Sequence, residues 1–199
     1  NEIINVRLTT GTDEVVLATK DGMSLRFPED QSRPLGRNTA GQRGITPGDG
    51  DHVIGLSLVE TGAMLLVASA NGIGKRTGFE EYRIQNRGGK GIKTMKVTEK
   101  TGDVVGVMSV QESDELMCMT SGGLSIRIRV SEIRETGRNA QGVKLLSLRD
   151  GETLQGIARV IADGDDESEA GEVDEATAPG NEEESTPDTS AGDTTPAED

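Results

Sequence analysis

The segment GAMLLVASANGIGKRT, residues 62–77, decides the fold, because two short apolar strands flank one tight turn. The segments DEVVLATKDGMSLRF, residues 13–27, and DELMCMTSGGLSIRI, residues 114–128, repeat this pattern. Each turn ends in a glycine, and the three lie 50 and 51 residues apart: Gly22, Gly72 and Gly123. Their dipeptides Asp-Gly, Asn-Gly and Gly-Gly predict two-residue type I′ turns. The sequence therefore predicts three β-hairpins in tandem.

The repeat extends beyond the hairpins, which sets the fold class. Each hairpin precedes a polar, basic, glycine-containing loop: residues 36–45, 85–92 and 137–143. A further strand closes each unit with HVIGLSLV, DVVGVMSV or TLQGIARV. Units of this length with four short strands are typical of propeller blades. We predict an all-β, propeller-like array of about three four-stranded blades, at residues 13–61, 62–112 and 113–162.

The ends of the chain differ from these blades. NEIINVRLT resembles a closing strand, so residues 1–12 are predicted to close a preceding blade. Since three blades are too few to close a typical ring and the chain has no initiator Met, we expect a fragment of a larger protein. Residues 163–199 hold 15 acidic residues and no Lys or Arg. This tail has too little apolar content to offset its ordering entropy, and we expect it to be disordered.

The net charge of −14 conceals an almost neutral body. Residues 1–162 hold all 21 Lys and Arg and 20 acidic residues, so their charge is near +1. Basic loops on such a body, beside an acidic tail, favour a polyanionic partner, with whose binding the tail would compete; a solubilising terminus is the alternative interpretation of the tail. Cys118 lies in an apolar strand and is predicted to be a buried thiol; because it is the only cysteine, an internal disulfide is excluded. No apolar run is long enough to cross a membrane.

The loop Gln85–Gly91 is the densest basic loop. It is no P-loop, because Lys90 precedes glycine instead of Ser or Thr and a strand pattern follows. A dinucleotide fingerprint is also absent. Glycines let backbone N–H groups approach a phosphate closely, and Arg87 and Lys90 add charge on either side. Solvated surface turns are the alternative interpretation.

Repetition of such loops around a rim predicts a curved basic track for a phosphate backbone. Nothing in the loops reads base edges, and the scarcity of aromatic residues disfavours stacking on single strands, so duplex DNA is the expected partner. The candidate DNA-binding residues are Gln85, Arg87, Gly88, Gly89, Lys90, Gly91, Lys93, Arg37, Arg43, Arg138 and Lys144.

Other reactive side chains form no catalytic or metal-binding constellation. His52 is the only histidine, which excludes a histidine-based triad and a zinc cluster. Asp49 and Asp51 lie in a glycine turn and are predicted to be structural. Tyr82 is expected to pack beside the basic loop rather than to act as a nucleophile.

The segment NGIGKRTGFEEYRIQNRGGKGIK, residues 71–93, resembles the C-terminal domain of the DNA gyrase A subunit. That family carries a gyrase-A box, Q-R-R-G-G-K-G, and Gln85–Gly91 matches it at six of seven positions, with Asn86 in place of Arg. The loops near residues 36–45 and 137–143 resemble degenerate boxes, so the resemblance covers residues 1–162. In the family the principal box lies on the first blade, so this box is either the principal one or a second one.

The resemblance implies a β-pinwheel, a six-bladed propeller variant whose blades exchange strands and whose basic rim wraps duplex DNA. It implies a part of DNA gyrase, an ATP-hydrolysing type II topoisomerase that introduces negative supercoils. The partners would be the gyrase B subunit together with a second gyrase A subunit in an A2B2 enzyme, in the bacterial cytoplasm on the chromosome. This fragment would hold no cofactor and no catalytic or metal-binding residue, since ATP and Mg²⁺ act elsewhere. The alternatives are the corresponding domain of topoisomerase IV and a protein-binding propeller scaffold.

Overall fold

The computed structural model describes residues 2–160, which form three antiparallel sheets, one for each hairpin of the repeat. The all-β architecture is therefore confirmed. In the first sheet the strand order is β3-β1-β2-β6. Its strands are β1 (Glu14–Thr19), β2 (Met23–Pro28), β3 (Val53–Leu58) and β6 (Ile92–Lys93).

The other two sheets have an equivalent strand order, except that the third sheet has three strands among residues 2–160. The second sheet has the order β10-β5-β4-β7, and the third has the order β11-β8-β9. The second contains β4 (Met64–Ser69), β5 (Ile73–Gly78), β7 (Val104–Val110) and β10 (Val143–Lys144). The third contains β8 (Glu115–Thr120), β9 (Ser125–Arg129) and β11 (Leu154–Val160).

Neighbouring blades exchange a strand, which links each sheet to the next unit of the sequence. The short strand β6 follows the basic loop of the second unit but pairs with β2 of the first sheet, Met23 opposite Lys93. In the same way β10 of the third unit pairs with β5, Lys144 opposite Ile73. The fourth strand of a blade thus comes from the following unit, and the third sheet has three strands among the described residues.

The hairpin turns are placed as predicted, but their type is different. In each turn the N–H of the glycine donates to the backbone carbonyl of a Thr or Ser three positions earlier. For Gly22 and Thr19 the distance is 3.0 Å. Gly22 and Gly123 have φ of +78° and +80°, whereas Gly122 is not among the glycines with positive φ. These are features of a three-residue loop in which glycine follows a type I turn, so the predicted two-residue type I′ turn is wrong. The hydroxyl of Thr19, which accepts the N–H of Met23 at 3.2 Å, supports the longer loop.

The core is aliphatic and spans the blades. One cluster joins Val16 and Ala18 of the first sheet to Leu65 and Val67 of the second. It also contains Phe79, Tyr82 and Met95, which belong to the segment that crosses from the second sheet to the first. Both faces of β4 are packed, since Leu65 and Val67 lie in this cluster while Leu66 and Ala68 lie in a second cluster shared with the third blade. Cys118 is fully buried in the third blade, where burial raises the pKa of its thiol to about 11.

Two terminal predictions have no counterpart in this architecture. No strand lies within residues 2–12, where a closing strand was predicted, because a strand requires a hydrogen-bonded neighbour and no described strand pairs there. Ile3 and Leu8 are accordingly 87% and 95% exposed. The predicted disordered tail lies outside the described residues. Within residues 2–160, no helix has the length and apolar character needed to cross a bilayer.

Candidate nucleic-acid interface

The loop Gln85–Gly91 lies against β2 of the preceding blade and against that blade's own basic loop. The N–H of Gln85 donates to the carbonyl of Arg26 at 2.8 Å, which anchors the start of the loop to β2. The N–H of Gly88 donates to the carbonyl of Gly44 at 2.6 Å, and the N–H of Thr46 donates to the carbonyl of Gly89 at 2.8 Å. Two of the predicted basic loops are therefore joined backbone to backbone.

One glycine of this loop is required by this close packing, and a second is required by its backbone conformation. Gly91 has φ +78°, and a Cβ there would overlap the carbonyl oxygen of Ser24 on β2. Gly142 is its counterpart in the third unit, with φ +96° and a Cβ position 2.5 Å from the carbonyl oxygen of Gly74. Gly88 has φ +83°, a conformation that residues with a Cβ rarely adopt. The glycines thus allow the loop to cross the neighbouring strand at contact distance.

Arg87 joins the two loops instead of projecting freely. Its Nε donates to the carbonyl of Gln31 at 3.0 Å, and its Nη1 donates to the carbonyl of Arg43 at 2.6 Å. Its backbone N–H donates to Oε1 of Gln31 at 2.7 Å. Arg138 repeats the arrangement one unit later, since its Nη1 donates to the carbonyl of Lys93 at 2.6 Å. Two predicted phosphate ligands therefore hold successive loops together through carbonyl oxygens.

Lys75 anchors the basic loop of the third unit, residues 137–143, and was not predicted as part of the site. The residue is fully buried on β5, and its Nζ donates to the carbonyls of Gly137 at 2.7 Å and Arg138 at 2.6 Å. Burial lowers the pKa of its ammonium group to about 8, opposed by the nearby carboxylate of Glu81. The equivalent residue in the first blade is Leu25. A lysine at a strand position that is apolar in another repeat is therefore the sequence feature that indicates this anchoring role.

Other predicted cations keep their charged ends available. No hydrogen bond or ion pair holds these side chains within residues 2–160, and all are exposed: Arg37, Arg43, Lys90, Lys93 and Lys144. The side chains of Arg43 and Arg87 line one open cleft of about 590 Å³ together with Gly88 and Arg33. Gln85 is half-buried, and its Nε2 has no hydrogen-bond partner. The structure therefore separates the predicted residues into loop-joining and exposed ones.

Three exposed arginines were missed because they precede the glycine loops. They stand four residues before Arg37, Arg87 and Arg138: Arg33, Arg83 and Arg134. The repeat itself identifies these arginines in the sequence, since each unit carries an Arg, a second Arg four residues later, and an Arg or Lys six residues after that. The first position of this pattern lies outside the glycine-rich segment of each loop.

Tyr82 is buried in the core cluster between the first two sheets. Its side chain is 1% exposed, its hydroxyl lies 2.7 Å from Oγ1 of Thr94, and burial raises its pKa. Within the described residues, no group of three or more His, Cys, Asp and Glu side chains could hold a metal ion. The N–H groups of Gln85, Arg87 and Gly88 are donated within the protein, so the box loop offers an anionic ligand cationic side chains rather than these N–H groups of the predicted phosphate cradle.

Similarity to known proteins covers all three blades. The profile of the family described as "DNA gyrase C-terminal domain, beta-propeller" matches residues 13–60, 63–111 and 114–161. The chain is 43% identical over 171 residues to the DNA gyrase A subunit of Staphylococcus aureus strain MRSA252, which covers 85% of the chain and 19% of that protein. Against the same protein of strain NCTC 8325 the identity is 42% over 179 residues, 89% of the chain and 20% of that protein. The chain therefore spans about a fifth of the length of these relatives.

Solved structures share the architecture. A DNA gyrase A C-terminal domain superposes with a TM-score of 0.73 at 27% identity, over 77% of this chain and 52% of that one. The C-terminal domain of a DNA topoisomerase IV superposes with a TM-score of 0.75 at 24% identity, over 79% of this chain and 50% of that one, which shows the fold alone. The three matched repeats, the exchanged strands and the identity to the Staphylococcus aureus proteins agree, and the chain belongs to the family of DNA gyrase A C-terminal β-propeller domains.

Proposed function

We propose that the chain binds and wraps duplex DNA along its basic loops, as part of a gyrase A subunit. The observation that carries the proposal is the recurrence of exposed cations on loops that are joined to one another. Lys93 and Lys144 occupy equivalent positions on β6 and β10, and Arg43 occupies the same position in the first unit. Cations at blade intervals suit the regularly spaced phosphates of a curved duplex.

The chemistry of the loops supports recognition of the backbone without a base sequence. Lys90 and Lys93 are compact charges on flexible stems, which bind phosphate as point charges. The described residues contain few aromatic rings, and Phe79 and Tyr82 are buried, which leaves neither ring for stacking on unpaired bases. Binding is therefore expected to be independent of sequence and to weaken steeply as salt increases.

In the whole enzyme, the wrapped DNA would be presented for strand passage and negative supercoiling. The partners would be the gyrase B subunit together with a second gyrase A subunit in an A2B2 assembly on the bacterial chromosome, in the cytoplasm. ATP hydrolysis, Mg²⁺ binding and DNA cleavage would then depend on parts of the enzyme other than this chain. The relatives are long enough to contain these other parts, because the match to this chain covers only 19% of the length of one of them.

The test is a comparison of two double variants with equal loss of charge. Lys90→Ala/Lys93→Ala removes exposed cations of the box loop, and Lys100→Ala/Arg149→Ala removes exposed cations from turns elsewhere. We expect the first to weaken binding to a linear duplex and, in the full enzyme, to reduce wrapping and supercoiling, while the second changes neither. Equal behaviour of the two variants, or salt-insensitive binding by the unaltered chain, would contradict the proposal and favour a protein-binding scaffold.

The corresponding domain of topoisomerase IV is the second candidate, because its fold superposes as well as that of gyrase. The well-matched box Gln85–Gly91 favours gyrase over this candidate. Relaxed plasmid incubated with ATP, the full-length protein and the other subunits of its enzyme separates the two. Gyrase converts it to a negatively supercoiled form, whereas topoisomerase IV leaves it relaxed.

A further inference from the structure

A second set of arginines recurs at one position of the repeat, outside the glycine loops. Arg33, Arg83 and Arg134 are 50 and 51 residues apart, and each follows a single 3-10 turn. All three side chains are exposed. The charge at this position is therefore kept in every blade, although the residues directly before it are Ser32, Tyr82 and Ile133.

The backbone presents these arginines in a similar way in each blade. The preceding residue has φ −103° and ψ 94° at Ser32, φ −100° and ψ 95° at Tyr82, and φ −84° and ψ 119° at Ile133. The chain is extended there, so successive side chains point to opposite faces. Tyr82 and Ile133 are buried, with 1% and 2% exposure, so the next side chain is directed outward.

These guanidinium groups have no protein partner within residues 2–160, in contrast to other arginines of the repeat. Arg26 donates from Nη1 to the carbonyl of Phe79 at 2.6 Å, and Arg76 donates from Nε to the carbonyl of Ile133 at 2.6 Å. Acidic residues of the adjoining turns, such as Glu80, lie close in sequence, yet no ion pair of the described residues joins them to the three arginines. The fold uses Arg26 and Arg76 internally and leaves the arginine row (Arg33, Arg83 and Arg134) free among residues 2–160.

We propose that this arginine row is a second phosphate-binding row, which contacts the backbone of the duplex beside the box loops. The inference rests on the proposed function and names residues outside the gyrase-A box. A planar guanidinium with several N–H donors binds phosphate oxygens in bidentate fashion, which suits a fixed position beside a duplex. Arg33 lines the same cleft as Arg43, which places a residue of the arginine row beside a cation of the box-like loop.

The test measures the salt dependence of duplex binding for two double variants of the full chain. Arg83→Ala/Arg134→Ala removes two members of the arginine row, and Lys100→Ala/Arg149→Ala removes two exposed cations from turns outside it. The slope of log K against log salt falls by about 0.9 for each phosphate that is no longer neutralised, so the first variant should have a slope smaller by about 1.8. The control should keep the slope of the unaltered chain, and both should keep its melting temperature.

The outcomes separate this inference from the function on which it rests. If the slope is steep for the unaltered chain and the same for both double variants, the arginine row does not bind phosphate, although the chain still binds DNA. A flat slope in the unaltered chain would overturn both. A lower melting temperature for Arg83→Ala/Arg134→Ala alone would show a structural role and would also count against the row; Arg83→Gln/Arg134→Gln, which keeps much of the side chain, should lower the slope without that loss.

Discussion

Nη1 of Arg87 lies 2.6 Å from the carbonyl oxygen of Arg43, so two residues that look alike in sequence have different roles. Arg87 supplies the hydrogen bond that joins two loops, and Arg43 supplies the backbone acceptor while its own side chain stays exposed. Arg138 and Lys93 repeat the relationship in the next blade. The box arginine is therefore a positioning residue, and the neighbouring lysines are the exposed cations.

Arg87→Ala should destabilise the fold by about 2 kcal/mol, because it removes charged donors from two carbonyls at a blade junction. Lys90→Ala should change stability by less than about 0.5 kcal/mol, because Lys90 is exposed and makes no hydrogen bond of this kind. Urea unfolding measures both values. Arg87→Lys should not restore stability, because one ammonium nitrogen would replace two separate donors, Nε and Nη1, that reach carbonyls of Gln31 and Arg43. Equal stability of Arg87→Ala and Lys90→Ala would contradict the positioning role.

Gly91→Ala should unpair β6 from β2. The glycine has φ +78°, and a Cβ there would overlap the carbonyl oxygen of Ser24. Gly50→Ala is the matched control, because Gly50 has φ +74° and open space around its Cβ position. The control should cost about 1 kcal/mol in free energy of unfolding from backbone strain, and Gly91→Ala about 2 kcal/mol more from steric overlap. Similar losses in the two variants would show that the close crossing does not matter.

The sequence predicted the repeat because turn glycines and alternating strands are local signals. The exchange of β6 and β10 between sheets followed from the resemblance alone, since a two-residue strand carries no periodicity of its own. The predicted turn type was wrong because Asp-Gly and Asn-Gly also fit a three-residue loop. The hydrogen bond from the N–H of Met23 to the hydroxyl of Thr19 favours this longer loop. The role of Arg87 could not be read from composition, because it depends on carbonyl oxygens 44 and 56 residues away.

Lys75 should make stability depend on pH in the alkaline range. Burial lowers its pKa from 10.5 in the unfolded chain to about 8 in the folded chain. Between these values the unfolded chain holds the proton that the folded chain has lost, so the free energy of unfolding rises with pH. Lys75→Met, which keeps the volume but has no charge, should lack this rise. Chemical unfolding of both proteins at several pH values between 8 and 10.5 measures the difference, and parallel curves would contradict the effect.

Removal of residues 163–199 should raise the affinity for duplex DNA. This segment carries 15 acidic residues and no Lys or Arg, so we expect it to compete with phosphates for the basic loops. Gel-shift titrations of the full chain and of a chain ending at Ala162 compare the two, and the difference should shrink at high salt because screening weakens both competitors. A version of the tail with its carboxylates replaced by amides should behave like the truncated chain. Unchanged affinity after truncation would contradict the competition.

The exchanged strands also determine where a mechanical pull on the loops is resisted. DNA held at Lys90 or Lys93 would draw on a loop and a strand whose hydrogen bonds lie in the preceding sheet, at Arg26 and Met23. Tension on one blade is therefore resisted by its neighbour, because β6 is hydrogen-bonded into the preceding sheet. The pairing that completes each four-stranded sheet also ties one repeat to the next.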